Sequence, residues 1–284
     1  HVTKFLTLTG HEDVTEVDVN VGCEQEYFLI DKAFYFERPD LVMTGRTLLG
    51  SSTTRNQQLD DHYFGTIPDR IMGYMQELDL ELYKLGIPAK TRHNEVAPGQ
   101  FELAPIFCEA NLAADQNQLM MATIKSVAIK HDLVAILHEK PFAGINGSGK
   151  HVNWSMGDNK GRNLLDPGET PHENSIFLAH TAIVIEAVRR HSKMLRMSIA
   201  SQGNDHRLGA NEAPPSIISI FLGETLDKIM TQLKAGKKLT DPNIGEALDL
   251  GASQLVRLEK DNTDRNRTSP FAFTGNRFEF RAVG

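Results

Sequence analysis

Residues 144–156 read GINGSGKHVNWSM. Gly144, Gly149 and Lys150 stand in the register of a phosphate-binding glycine loop, but His151 takes the place of its Ser or Thr. Such a loop must open a helix, so that backbone N–H groups and the helix dipole face the phosphate. The residues after Lys150, HVNWSM, instead alternate and include β-branched and aromatic side chains, which is a strand pattern. The stretch is a glycine turn running into a strand. Side chains alternate along a strand, so His151, Asn153 and Ser155 share one face, while Val152, Trp154 and Met156 take the other, toward a core.

The flanking sequence divides in the same way. VDVNVG (17–22) and EQEYFLID (24–31) read as a pair of strands. Glu24 and Glu26 share a face, opposite Cys23, Gln25 and Tyr27, and two like charges side by side cost energy unless a cation or solvent compensates. HNEVAPGQFELA (93–104) reads as two short strands around Pro98-Gly99. Glu95 and Glu102 would face opposite ways on a straight strand, but a turn or bulge brings them back together. NRFEFRAV (276–283) sets Arg277, Glu279 and Arg281 on one face and Phe278 and Phe280 on the core side. DNTDRNRTSP (261–270) is a polar loop that adds Arg265 and Arg267.

Ile71, Met75, Leu78 and Leu82 recur at three- and four-residue steps and predict a helix over 68–86, with Pro68 in its first turn and Gly86 at its end. Further helices are predicted over 109–131, 174–197 and 224–236, and strands over 132–139 and PSIISIFLG (215–223). Strands and helices mix without βαβ alternation, so the fold class is α+β with a largely antiparallel sheet.

The chain has 284 residues, room for a sizeable core and one or two domains. Its net charge of −7 argues against nonspecific nucleic-acid binding. Cys23 and Cys108 lack paired spacing and read as buried thiols of a reducing compartment, hence a cytoplasmic protein. No apolar run approaches the ~18–20 residues of a membrane span. HVTKFLTLTGHEDV at the start lacks an initiator Met and a signal peptide's apolar core, and FEFRAVG at the end stops in a strand pattern. The expectation is a piece of a longer chain.

Alone, His151 reads as a hydrogen-bonded histidine and each acid pair as exposed carboxylates. Together, Glu24, Glu26, Glu95, Glu102 and Glu279 join His151 on strand faces, with arginines nearby. Carboxylate oxygens suit Mg²⁺ or Mn²⁺, and one imidazole among them still fits Mn²⁺. Arginines beside divalent cations suit phosphoryl transfer, where charge on the moving phosphate must be neutralised.

EQEYF (24–28), NEVAPGQFELAP (94–105), NGSGKH (146–151), RLGANEAPP (207–215), RNRTSPFAF (265–273) and NRFEFRAVG (276–284) together resemble glutamine synthetase, type III class most of all. The resemblance runs in order through nearly the whole chain and implies one catalytic domain over 1–284, a curved, largely antiparallel sheet flanked by helices. It implies ATP-dependent ligation of ammonia to the γ-carboxylate of L-glutamate through γ-glutamyl phosphate, with Mg²⁺ or Mn²⁺. Its partners would be L-glutamate, ammonium and ATP, in a homo-oligomeric ring, a dodecamer by resemblance.

Carried over by position, one metal site would use Glu26, Glu95 and Glu102, the other Glu24, His151 and Glu279. Asn146, Gly147 and Arg207 would hold glutamate. Arg267 and Arg281 would steady the phosphoryl group, while Asn153, Ser155 and Arg277 would lie at the nucleotide. Glu212 would close over the intermediate and take a proton from ammonium. Two positions depart from the family: Asn153 stands where many relatives have histidine, and Ala272 where an arginine is common. The family also has an N-terminal β-grasp domain that lends an aspartate to the neighbouring subunit, so the expectation for these residues alone is weak metal–nucleotide binding and little glutamine. Two readings stay open beside this one: a sister ligase that joins another amine to glutamate, and an inert structural or regulatory paralogue.

Overall fold

One strand organises the sheet. β1 (Val17–Asp31) runs unbroken for 15 residues where the sequence predicts two strands. Gly22 does not end a strand; a Cβ there would meet Phe107 at 3.3 Å, so the glycine admits a neighbouring chain. Each edge of β1 takes two partners in succession. One edge pairs with β4 (Cys108–Glu109) and then β3 (Gln100–Pro105); the other pairs with β6 (Lys150–Asp158) and then β5 (Leu133–Ile136). The computed structural model describes residues 1–52, 54–211, 213–239, 247–248, 258–259 and 269–284.

The remaining sheet strands are β2 (Ala89–Asn94), β7 (Ile220–Phe221), β10 (Phe271–Phe273) and β11 (Phe278–Phe280), and a separate pair is formed by β8 (Ala247–Leu248) and β9 (Leu258–Glu259). The main order is β2-β3-β1-β6-β11-β10-β7. All its pairings are antiparallel except β7 with β10, so the sheet is curved, open and largely antiparallel. β7 is much shorter than the strand predicted over 215–223. Pro214 and Pro215 bring no amide donors, and Ile217 is exposed at the sheet's edge. β11 also falls short of 276–283: Arg281 N–H still donates to Pro270 O across the ladder, but Pro270 has no amide to complete the pair.

The predicted helices are α5 (Asp69–Lys84), α6 (Ala110–Lys130), α7 (Ser175–Ser198) and α9 (Glu224–Lys234), joined by the short α1 (Val2–Leu8), α2 (Lys32–Phe36), α3 (Pro39–Thr44), α4 (Asp61–Phe64) and α8 (Gln202–Arg207). Side-chain caps set two of the starts: Glu109 accepts from the amides of Asn111 and Leu112, and Asn174 from that of Phe177.

Alternation along the strands separates core from site. Tyr27 and Leu29 of β1 and Phe101 and Leu103 of β3 pack under α5 and α6, against Tyr74, Leu78, Met120 and Ile124. Val152 and Trp154 of β6, with Phe278 and Phe280 of β11, pack under α7 and α9. Trp154 stacks on Phe278 with centroids 5.7 Å apart. These four helices therefore cover one face, while α2 and α3 pack with Phe28 at the far end of the other. The other face carries the carboxylates.

Candidate active site

Strand register brings the polar residues together. Glu24 lies opposite His151, Glu26 opposite Glu102, His93 opposite Glu102, and Glu279 opposite Asn153. Residues directly opposite point to the same side of a sheet, so five strands load one face with acids and imidazoles.

Two clusters result. In the first, Nδ1 of His151 lies 3.1 Å from Glu24 Oε2 and 3.3 Å from Glu279 Oε1, and the ligand atoms of the three are within 4.8 Å of one another. Burial works against the Glu24 charge, but hydrogen bonds from His151 and Asn153 outweigh it and hold its pKa below the usual value. Burial likewise opposes a charged His151, and Glu24, Glu26 and Glu279 overcome it, raising its pKa. The second cluster is His93, Glu95 and Glu102. Glu95 reaches it from the turn after β2, where its amide donates to Gln100 O and Gly99 supplies a φ of +73°.

His93 is a member that sequence reasoning missed. Its spacing of two from Glu95 on a strand was the available signal. A carbonyl can only accept, so Nδ1–H of His93 donates to Asn94 O at 2.7 Å. That leaves Nε2 toward Glu102 Oε1 at 3.4 Å, and the Glu102 contact raises the His93 pKa against the opposing effect of burial. Glu26, read from the sequence with Glu95 and Glu102, stands one strand away. Its Oε2 accepts from Gly149 N–H at 2.7 Å. Oxygen and imidazole donors at this spacing fit Mg²⁺ or Mn²⁺.

Beside the clusters is a narrow pocket, with a cavity of about 20 Å³, lined by Glu26, Asn146, Gly147, His151, Arg207, Ala213, Pro214 and Arg281. Arg281 pairs with Glu279: its Nη2 donates to Oε2 at 3.2 Å, and its Nε lies 3.0 Å from Oε1 as an ion-pair contact. Arg207, at the end of α8, is buried to 3% exposure. Its Nε donates to Asn204 Oδ1 at 2.9 Å and its Nη2 to Val283 O at 3.0 Å. Burial lowers its pKa, with Glu26 and Glu139 acting in the other direction. The glycine turn exists for this arginine: a Cβ on Gly147 would lie 2.3 Å from Glu139 O and 2.7 Å from Arg207 Cγ, and one on Gly149 would lie 2.8 Å from Arg207 Nη1.

Asn153 Oδ1 accepts from Arg277 Nε at 3.1 Å, which joins two of the residues expected at the nucleotide; Ser155 lies further along the same strand face, opposite Asn20. Glu212 and Arg267 lie outside the described residues. Asn204 and Gln57 escaped sequence reasoning because each acts through another residue.

The fold and these residues place the chain among α+β catalytic domains built on an open antiparallel sheet. A family model described as "Glutamine synthetase, catalytic domain" matches residues 7–215, and the chain belongs to that family. It is 55% identical over 276 residues to a glutamine synthetase of Butyrivibrio fibrisolvens, covering 97% of this chain and 39% of that protein. It is 53% identical over 282 residues to a type-3 glutamine synthetase of Dictyostelium discoideum, covering 99% and 38%. The chain thus spans about two fifths of the length of these relatives. Among solved structures, one titled "Apo GmaS without ligand" matches with a TM-score of 0.58 at 21% identity, over 94% of this chain and 50% of that one. A GmaS/ADP complex matches at 0.56 and 20%, over 99% and 52%. These two likenesses speak for the fold alone.

Proposed function

We propose that this chain is the catalytic part of an enzyme that makes L-glutamine from L-glutamate, ammonium and ATP. The observation that carries the reading is the joining, on one sheet face, of the Glu24–His151–Glu279 and His93–Glu95–Glu102 clusters with the pocket of Arg207 and Arg281. The relatives named glutamine synthetase support it.

A free carboxylate is a poor acyl donor. Phosphorylation makes it a good one: a γ-carboxylate oxygen takes the terminal phosphoryl group of ATP and ADP leaves. Ammonia then attacks the acyl carbon, phosphate departs, and the surplus proton goes to a base, for which Glu212 is the candidate. Bound Mg²⁺ or Mn²⁺ would supply positive charge to the ATP phosphates and the reacting carboxylate. Glu24, His151 and Glu279 would hold one ion, and Glu95 and Glu102, with His93 or Glu26, the other. Arg207 meets the substrate carboxylate, and Arg281 and Arg267 offset charge on the moving phosphoryl group. Asn153, Ser155 and Arg277 line the nucleotide side. A homo-oligomeric ring and a cytoplasmic location belong to the same reading. Among the described residues no helix is long and apolar enough to cross a membrane.

The test is glutamine formation by the full-length protein with ATP, glutamate, ammonium and either Mg²⁺ or Mn²⁺, with alkylamines as competitors. Turnover with ammonium at low millimolar concentration is expected. Preference for an alkylamine points to the sister ligase, and absence of any Mn²⁺ site by calorimetry points to an inert paralogue.

A further inference from the structure

The stretch from Thr54 to Asp60 lies on the surface, and Gln57 is the one residue in it turned inward. Two consecutive residues just after it, Leu59 and Asp60, adopt left-handed backbone with φ of 59° and 53°. Neither is glycine, and Leu59 is 95% exposed, so packing of its side chain does not compensate that strain. Strain of this kind persists where surrounding contacts impose it. Gln57 itself meets Asn146, 89 residues away: Gln57 Oε1 accepts from Asn146 N at 2.5 Å, and Gln57 Nε2 donates to Asn146 Oδ1 at 3.0 Å.

The polarity of this pair is set by its backbone member. An amide N–H can only donate, so the Gln57 atom facing it is oxygen. The other arm of Gln57 is then NH₂, and the Asn146 atom facing that arm must be oxygen too. The Asn146 NH₂ is left on the side away from Gln57. Asn146 lines the same pocket as Arg207 and Arg281, and those two side chains carry only donors.

We infer that Gln57 is a positioning residue for the substrate carboxylate: it fixes the Asn146 amide so that this residue presents donors rather than an acceptor to the Arg207–Arg281 pocket. This rests on the reading of that pocket as the glutamate site. A glutamate carboxylate needs donors on every side. A reversed Asn146 would set its carbonyl oxygen against the anion.

The isosteric change Gln57→Glu tests this in the full-length protein. One carboxylate oxygen still accepts from Asn146 N–H, but the other demands a donor. Asn146 must flip to supply it, which turns its oxygen into the pocket. Glutamate KM is expected to rise about 30-fold, since a donor to a charged group is exchanged for an acceptor, while Gln57→Ala, which only frees Asn146, raises it about three- to tenfold. ATP KM and the melting temperature stay at wild-type values in both. The inference is overturned if Gln57→Glu leaves glutamate KM at or below that of Gln57→Ala, or if ATP KM and melting temperature move in step with it, as for a merely structural residue. Should Gln57→Glu fail to fold, an unchanged glutamate KM in Gln57→Ala overturns it. A wild-type protein that consumes no glutamate sinks this inference together with the glutamine reading; a wild type that does, with an indifferent Gln57→Glu, sinks this inference alone.

Discussion

The two His/Glu clusters and the Arg207–Arg281 pocket lie side by side but are held by different means. Apart from Glu95 in the turn after β2, the clusters sit on β1, β2, β3, β6 and β11, where the hydrogen-bond ladder fixes each backbone position, and the Trp154–Phe278 layer supports β6 and β11 from behind. The pocket rim comes from a glycine turn, the short helix α8 and the surface stretch around Gln57, which are joined by side-chain hydrogen bonds. The first kind of site is rigid and tolerates loss of a single polar contact. The second depends on each contact, because few others constrain those segments. Substitutions on the sheet face should therefore delete a function cleanly, and substitutions at the rim should weaken binding by degrees while the metal sites survive.

His151→Ala should have the largest effect. Removal of a ligand from the Glu24–His151–Glu279 cluster is expected to cost about 100-fold or more in Mn²⁺ affinity at that site, and activity with it. Calorimetry of the full-length protein should show one Mn²⁺ per site lost and one kept. Loss of both would break the comparison, because it would make the sheet face as interdependent as the rim. Glu102→Ala should remove the other ion and spare the first.

Gly147→Ala ranks next. The new methyl must displace Arg207 or the Glu139 carbonyl, and overpacking of this kind costs about 1–3 kcal/mol. A melting temperature lowered by a few degrees is expected, with a raised glutamate KM and unchanged Mn²⁺ stoichiometry.

Asn204→Ala removes the Nε partner of a buried arginine, a loss worth about 1–3 kcal/mol. Glutamate KM should rise, and ATP KM should not. An equal rise in both would merge the two regions into one unit.

The mildest test is pH. His93 and His151 both have pKa values raised above the ordinary 6.5. In the metal-free protein their protonation contributes stability that is fully present below about pH 6.5 and fades as pH rises through the raised values. Mn²⁺ competes for the same nitrogens, so its binding should tighten with rising pH across that window, by up to about tenfold per unit for each proton released. Calorimetry in buffers of different ionisation heat counts those protons. A flat affinity between pH 6 and 8 would mean that neither imidazole gives up a proton to the ion.

Much of the sheet face was legible because period-two alternation is a local property. Glu24, Glu26, His151 and Glu279 could be assigned to polar faces, and Tyr27, Trp154 and Phe278 to apolar ones, from their own neighbours alone. Helical spacing between Pro68 and Gly86 disclosed the α5 span in the same way. What stayed hidden depends on register between distant strands or on loops. Nothing local says that β1 runs on through Gly22, since what carries it on is the pairing with β6, where Gly22 lies opposite Asn153. Nothing near 215–223 says that only Ile220–Phe221 finds a ladder partner. Gln57 and Asn204 carry no motif of their own, and their roles exist only through Asn146 and Arg207.

The pairing of β1 with β6 has an evolutionary side. Nine consecutive residue pairs, from Val17–Asp158 to Gln25–Lys150, share one register. A single inserted or deleted residue within either strand would turn His151 into the aromatic core and swing Val152 out among the carboxylates. A change of length is therefore far costlier between Val17 and Gln25 than at solvent-facing positions such as Ser51, Ser52 and Asn56, whatever side chains those strand positions carry.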